Sequence, residues 1–214
     1  MSRIQILFCV AFGLLFFQVG CGDDGGSPGT TETSYATGQL DSSFDADGIT
    51  VTTVGSSHGK IQATALQTDG KIVVAGYANN GGFNQFALAR YKADGSLDTG
   101  FNSTGTVMTP IGSGDAEVYG LALQTDQKIV VAGWAYNGTN NDFALARYNT
   151  DGSLDTDFNS TGIVMTPIGT ESDWAHAIVI QPSDGKIVVA GYVNQGSDYD
   201  IAVARYNTDG SLDT

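Results

Sequence analysis

The chain has 214 residues and a formal net charge of −14, with 23 acidic side chains against 9 lysines and arginines. An exterior this acidic repels phosphate backbones, so nucleic acid is excluded as an expected partner. It also repels anionic lipid, which leaves a covalent anchor as the route to a membrane surface.

Residues 1–20 read as an export signal: Arg3 gives a thin positive start, and the apolar run from Ile4 to Gly20 is too short for a comfortable span and ends in small residues. Cys21 follows at once. The string Gln18-Val19-Gly20-Cys21 resembles a bacterial lipobox, in which the cysteine is lipidated and becomes the new N-terminus. That pattern prefers Leu where Gln18 stands, and a plain secretory signal is the alternative. Cys9 is lost with the signal, so Cys21 is the only mature cysteine and no disulfide within the chain is expected. Residues 21–39, mostly Gly, Ser, Thr and Asp, read as a flexible tether.

From Leu40 the chain repeats itself. Leu40, Leu97, Leu154 and Leu212 open successive copies at spacings of 57, 57 and 58 residues, giving repeats 40–96, 97–153 and 154–211 and the start of a fourth. At the centre of each copy stands one phrase, Asp69-Gly70-Lys71-Ile72-Val73-Val74-Ala75-Gly76-Tyr77, returning from Asp126 to Trp134 and from Asp184 to Tyr192. Asp-Gly predicts a two-residue hairpin turn. The run after it is apolar on both alternating faces and must be covered above and below. Its closing Ala-Gly is expected to admit a neighbouring layer. The extra residue of the third copy falls in the turn Pro182-Ser183-Asp184-Gly185, where insertion is cheap.

The first copy predicts strands over 48–54, 61–67, 71–77 and 86–91, and no stretch beyond the signal has helical periodicity. Four short strands per repeat define an all-β chain of three four-stranded β-propeller blades. The most apolar strands belong innermost, so 61–67 is placed inside, then 71–77, then 86–91, with 105–111 outermost. The last copy lacks an outer strand, and 48–54, left without a blade, can supply one. Three blades do not close, because four is about the lower limit of a ring. Two explanations stay open: a fragment of a longer propeller, or two chains joined head to tail as a six-bladed homodimer.

The string Asp94-Gly95-Ser96-Leu97-Asp98 with Phe101, then Ala122-Leu123-Gln124, Lys128-Ile129-Val130-Val131-Ala132-Gly133 and Phe143-Ala144-Leu145-Ala146-Arg147-Tyr148, resembles the bacterial delta-60 repeat over 40–214. The resemblance implies β-propeller blades and an exported bacterial setting; it hands over no activity and no catalytic residues. Gln127 departs from it, standing where the turn wants Gly, at a strain of roughly 1 kcal/mol.

Arg90, Arg147 and Arg205 recur at one place in the third strand, and Asp98, Asp155 and Asp213 recur shortly after, which predicts one framework ion pair per blade. The stretch from Asn149 to Asp155 partly matches a calcium loop, but Arg147 sits where the first carboxylate belongs and Phe158 where the bidentate Glu belongs. A plain Asp-Gly turn is the stronger reading, and no cofactor is expected. His58 and His176 are the only histidines, and without Cys partners they make no zinc site; His176 stands in register with Gln62 and Tyr119. No nucleophile elbow, phosphate loop or dinucleotide fingerprint appears, so no enzyme is expected. The copies differ most over 56–60, 113–117 and 170–174, and over 79–85, 136–142 and 194–200. Phe83, Tyr136, Asn137, Trp174 and Tyr199 in these loops are the candidate ligand contacts, because flat apolar rings beside amides and carboxylates suit sugars or peptide edges. The expected role is a non-catalytic binding or scaffolding module at a bacterial surface, with an envelope carbohydrate hydrolase or lyase, or a truncated fragment of a longer propeller with no independent function, as the alternatives.

Overall fold

The computed structural model describes residues 38–214. The stretch expected to be an export signal, Cys21 and nearly all of the expected tether lie outside the described residues. All eleven strands lie within the unit Gln39–Thr214. Strands β1 (Gly59–Leu66), β2 (Ile72–Asn79), β3 (Asn84–Tyr91) and β4 (Thr106–Thr109) form one sheet in the order β1-β2-β3-β4. Strands β5 (Ala116–Leu123), β6 (Ile129–Tyr136), β7 (Asn141–Tyr148) and β8 (Ile163–Thr166) form the second in the same order. Strands β9 (Asp173–Ile180), β10 (Ile187–Asn194) and β11 (Tyr199–Tyr206) form a third sheet of three strands. Every pairing is antiparallel between sequence neighbours. These are three propeller blades in an open array, with no helix among the described residues.

The two interior strands of the four-stranded sheets are the ones apolar on both faces: in the middle blade Ile129, Val130, Val131 and Ala132 of β6 and Phe143, Ala144, Leu145 and Ala146 of β7 are all fully buried. Blades stack face to face around two cores. In one, Val73, Phe86 and Leu88 of the first blade meet Val118, Val131 and Tyr148 of the second. In the other, Val130, Phe143 and Leu145 of the second meet Ile178, Val189 and Tyr206 of the third. Buried Tyr148 and Tyr206 satisfy their hydroxyls by donating to Thr109 at 2.7 Å and Thr166 at 2.9 Å, so each also latches onto the outer strand of the blade before it.

Three expectations need correction. The hairpin turn has three residues rather than two in the first two blades and four in the third: in the first, the Gln67 amide donates to the Lys71 carbonyl at 2.8 Å and the Gly70 amide to the Gln67 carbonyl at 3.0 Å, with Gly70 at φ 82°. This is the turn-plus-left-handed-residue loop that fits strand twist. Gln127 takes the same conformation at φ 66° without being Gly, and its Oε1 accepts the Thr68 amide of the neighbouring blade at 3.1 Å, a contact Gly could not make.

Second, 48–54 is not a strand. Its backbone has no ladder partner, and Val51 is 89% exposed. Its ends are nevertheless fixed, by the Gly48 amide on the Phe44 carbonyl at 2.6 Å and the Ser56 amide on the Asn79 carbonyl at 2.9 Å. A strand needs a neighbour to complete its hydrogen bonds, and the edge that could complete this one, β11, is not beside it.

Third, only the Ala of the closing Ala-Gly serves a neighbouring layer: Ala75 and Ala132 lie in the two cores between blades, whereas the glycine answers to its own sheet. The register of the inner strand slips between Ile61 and Ala63 and between Val118 and Gly120, leaving Gln62 and Tyr119 as extra, bulged residues. In the third blade Ala175 pairs Gly191 and Ala177 pairs Ala190, so His176 is the extra one. The glycine opposite each bulge has no room for a side chain: a Cβ on Gly76, Gly133 or Gly191 would lie 1.9 Å from the carbonyl oxygen of Lys60, Glu117 or Trp174. Replacing Gly133 by Ala is therefore expected to cost about 3 kcal/mol, the upper end of overpacking effects, read as a lowered midpoint in urea unfolding. An equivalent Ala at Gly82, where nothing lies within 4 Å, should be nearly neutral.

Candidate functional site

The two ends of each blade have different characters. One end holds the hairpin turn, the last residues of the third strand and the Asp-Gly-Ser-Leu-Asp turn, and it is nearly the same in every copy. There Arg90 Nε lies 2.8 Å from Asp98, Arg147 Nε 2.6 Å from Asp155 and Arg205 Nε 2.6 Å from Asp213. Each carboxylate takes a second cation that recurrence alone did not single out: Lys71 at 3.3 Å from Asp98, Lys128 at 2.9 Å from Asp155 and Lys186 at 2.9 Å from Asp213. The lysine arrives because it directly follows the turn and opens the central strand.

The first two arginines also reach across blades. Arg90 donates to the Thr150 carbonyl and stacks 4.5 Å over Phe101; Arg147 donates to the Thr208 carbonyl and stacks 4.6 Å over Phe158. Their side chains are 7% and 8% exposed, while that of Arg205 is 49% exposed. Burial pushes the Asp98 and Asp155 carboxyls up, but the hydrogen bonds and charge of their arginines and lysines outweigh it and leave both below the usual carboxylate value. Hydrogen bonds from Lys186 and Arg205 lower Asp213 likewise.

In the stretch that partly matches a calcium loop, the Asn149 amide donates to the Ser153 carbonyl at 2.8 Å, Ser153 Oγ donates to Asp151 at 2.6 Å, and Asp155 Oδ2 is held by Arg147 and Lys128. Among the described residues no group of three His, Cys, Asp or Glu side chains is placed to share a metal ion.

The opposite end carries the variation, because the loops before the inner strand and between the second and third strands both emerge there. The structure gathers the candidate residues in two places. Phe83 and Tyr136 line a hollow of about 340 Å³ with Asp115, Trp134 and Asn141. Trp174 and Tyr199 sit 6.2 Å apart around Tyr192, whose ring is 5.1 Å from Trp174 and 5.3 Å from Tyr199. His176 stacks on Tyr192 at 5.2 Å, and Tyr119 of the second blade reaches His176 at 4.6 Å. Rings from two blades thus form one continuous group. Asn137 is not part of either surface: its Nδ2 donates to Asn140 and Asp142 at 2.6 and 2.8 Å and its Oδ1 accepts the Thr139 amide, so it braces its own loop. His58 stands apart against Tyr77 at 6.2 Å.

Tyr119, Tyr192 and Trp134 were missed as site residues. Tyr119 and His176 are bulged residues of the inner strand, the place where a sheet re-aims a side chain. The recurring glycine of the central run is where the bulge presses.

The architecture defines the class, an open run of β-propeller blades. Within that class, the family model described as a domain of unknown function (DUF5122) beta-propeller matches the chain three times, at residues 67–101, 124–158 and 183–214. These stretches cover just under half of the chain, start at or near the hairpin turn and leave out the inner strands β1, β5 and β9. No curated protein matches the chain.

Asp155→Ala is expected to cost about 3–5 kcal/mol, because it leaves buried Arg147 without its anion, and thermal or urea unfolding reads this directly. The depressed carboxyls also set a pH dependence. Folded values below the unfolded 3.8 mean that the contribution is complete above 3.8 and is lost as pH falls through the lowered values. Melting temperature should hold from neutral pH down to about that point and then drop; in Asp155→Asn the drop should be shallower from an already lower plateau.

Proposed function

We propose that the chain is a non-catalytic binding module of the bacterial cell envelope, anchored by lipid on Cys21, that takes a glycan or peptide ligand at the variable end of its blades. One observation supports this reading above others. Repeat-to-repeat identity is concentrated at one end, where side chains are committed to ion pairs, and the freedom to vary is concentrated at the other, where rings accumulate. Trp174, Tyr192 and Tyr199 offer broad apolar faces, and the hollow beside Phe83 and Tyr136 adds Asp115 and Asn141 as hydrogen-bonding groups. That pairing suits a sugar, whose C–H face stacks on a ring while its hydroxyls meet carboxylates and amides. A scaffold role for the same end would use the same rings against a protein.

A glycan array tests the reading. Retention of a sugar without release of product supports a binding module, and product release would replace it with a hydrolase or lyase. Trp174→Ala is expected to weaken retention about tenfold, the scale of a buried aromatic anchor, with no change in melting temperature. The anchor has its own test: fatty-acid labelling of the protein in cells should vanish in Cys21→Ser, and the protein should leave the membrane fraction.

A further inference from the structure

The two outer blades each lack what the other holds. On the third blade, β11 has no strand beyond it, and Ile201 and Val203 are 89% and 65% exposed, although their counterparts Phe143 and Leu145 are fully buried against the next blade. On the first blade, Ile61 and Leu66 are 49% and 69% exposed, although Val118, the counterpart of Ile61, is fully buried and Leu123, that of Leu66, packs on the same core.

Residues 48–56 are already seated where an outer strand belongs. The Gly48 amide bonds to Phe44 at 2.6 Å, as Gly105 does to Phe101 at 2.7 Å and Gly162 to Phe158 at 2.6 Å. The Ser56 amide bonds to Asn79 at 2.9 Å, as Ser113 does to Tyr136 at 2.8 Å. The Asp45 amide bonds to the Asp94 carbonyl at 2.8 Å, as Asn102 does to Asp151 at 2.6 Å and Asn159 to Asp209 at 2.7 Å. The segment is thus held against the first blade as β4 is held against the second, with its own sheet missing.

We propose that two copies of the chain join head to tail into a closed ring of six blades, β11 of each copy pairing with residues 49–52 of the other. The occupant is a second copy because the surfaces repeat, on the outside of the array, the blade-to-blade contacts made twice within it. Two copies bring six blades together, within the roughly four to eight that propeller rings hold. Closure also removes both open edges, which would otherwise invite aggregation.

The repeat dictates the register. Phe86 pairs Thr109 and Phe143 pairs Thr166, so Ile201 falls opposite Thr52; Ala202, Val203 and Ala204 fall opposite Val51, Thr50 and Ile49. It also supplies what Arg205 lacks. By the pattern of Arg90 and Arg147, its guanidinium lies over Phe44 of the second copy and donates to the carbonyl of Ala93 there.

Light scattering on residues 39–214, the unit holding every described strand and both cores, is expected to give twice the single-chain mass. A folded monomer, or polymers that lengthen with concentration, would overturn the closed pair. Ile201→Asp changes a side chain that touches solvent in the single copy, so it should convert the dimer to a monomer whose circular dichroism is still that of folded strands. Persistence of the dimer in that variant counts against the proposal. For the register, residues 39–214 contain no cysteine, so Thr52→Cys with Ile201→Cys should give a covalent dimer on oxidation. Thr50→Cys with Ile201→Cys should give none, and cross-linking of that control alone would refute the pairing.

Discussion

Each blade is apolar on both faces, and no blade can cover both faces by itself. Only the middle one is enclosed, and there Ile129 to Ala132 are fully buried, whereas Val74 in the first blade and Val188 in the third are only partly so. Stability in such an array is a sum of blade terms and neighbour terms, and here the neighbour term dominates the side chains that matter. Burying a single Phe, Leu or Ile contributes about 1.5–3 kcal/mol. Phe143 and Leu145 draw that contribution from the third blade; Ile201 and Val203, at the same two places in the next copy, draw almost none within one chain.

The same constraint explains why variation is sorted to one end. Stacked blades must keep a common spacing, and at the framework end the arginines set it by reaching from their own strand to the carbonyl of the next blade's turn. Substitution there would disturb three elements at once. At the other end the inner strand bulges, and the glycine opposite absorbs the whole steric demand of the bulge through the backbone. The bulged side chain itself is unconstrained by the ladder, so Gln62, Tyr119 and His176 can differ without altering the frame. A repeat built this way can diversify one rim while its cores stay fixed.

What was legible in the sequence was whatever the repeat expresses locally. The central run could be placed inside a sheet because its two-faced apolarity needs cover on both sides, and 61–67, 71–77 and 86–91 follow one another across the sheet in the order in which they stand in the chain. Arg90 and Asp98 were named from recurrence, and they lie 2.8 Å apart. What was not legible depends on backbone register. The glycine after Ala75, Ala132 and Ala190 looked like a packing residue because a bulge on a different strand leaves no mark of its own. The grouping of Tyr119 with His176 and Tyr192 was hidden for the same reason, since it joins two blades through an irregularity. The strand expected over 48–54 shows the converse limit: its residues have the pattern of a strand, but strand formation is decided by the neighbour and not by the segment.

The three arginines separate the order in which these interactions arise. Arg205 is half exposed and has neither the carbonyl that its counterparts find in the next blade nor the ring that they find in the loop before their own outer strand, yet its ion pair is as short as that of Arg147. The pair is therefore a property of one blade, fixed by eight residues of local chain, and does not need a neighbour. Adding the neighbour buries it, and for Asp98 and Asp155 burial is the largest effect on the carboxyl and opposes its charge, whereas for Asp213 the hydrogen bonds from Lys186 and Arg205 come first. The carbonyl across the blade interface and the ring in the loop before the outer strand offset that desolvation by solvating the cation in place of water. Blade formation and blade stacking are thus chemically distinct steps: the first assembles a charge pair in water, and the second makes sense only where another blade brings groups to receive it.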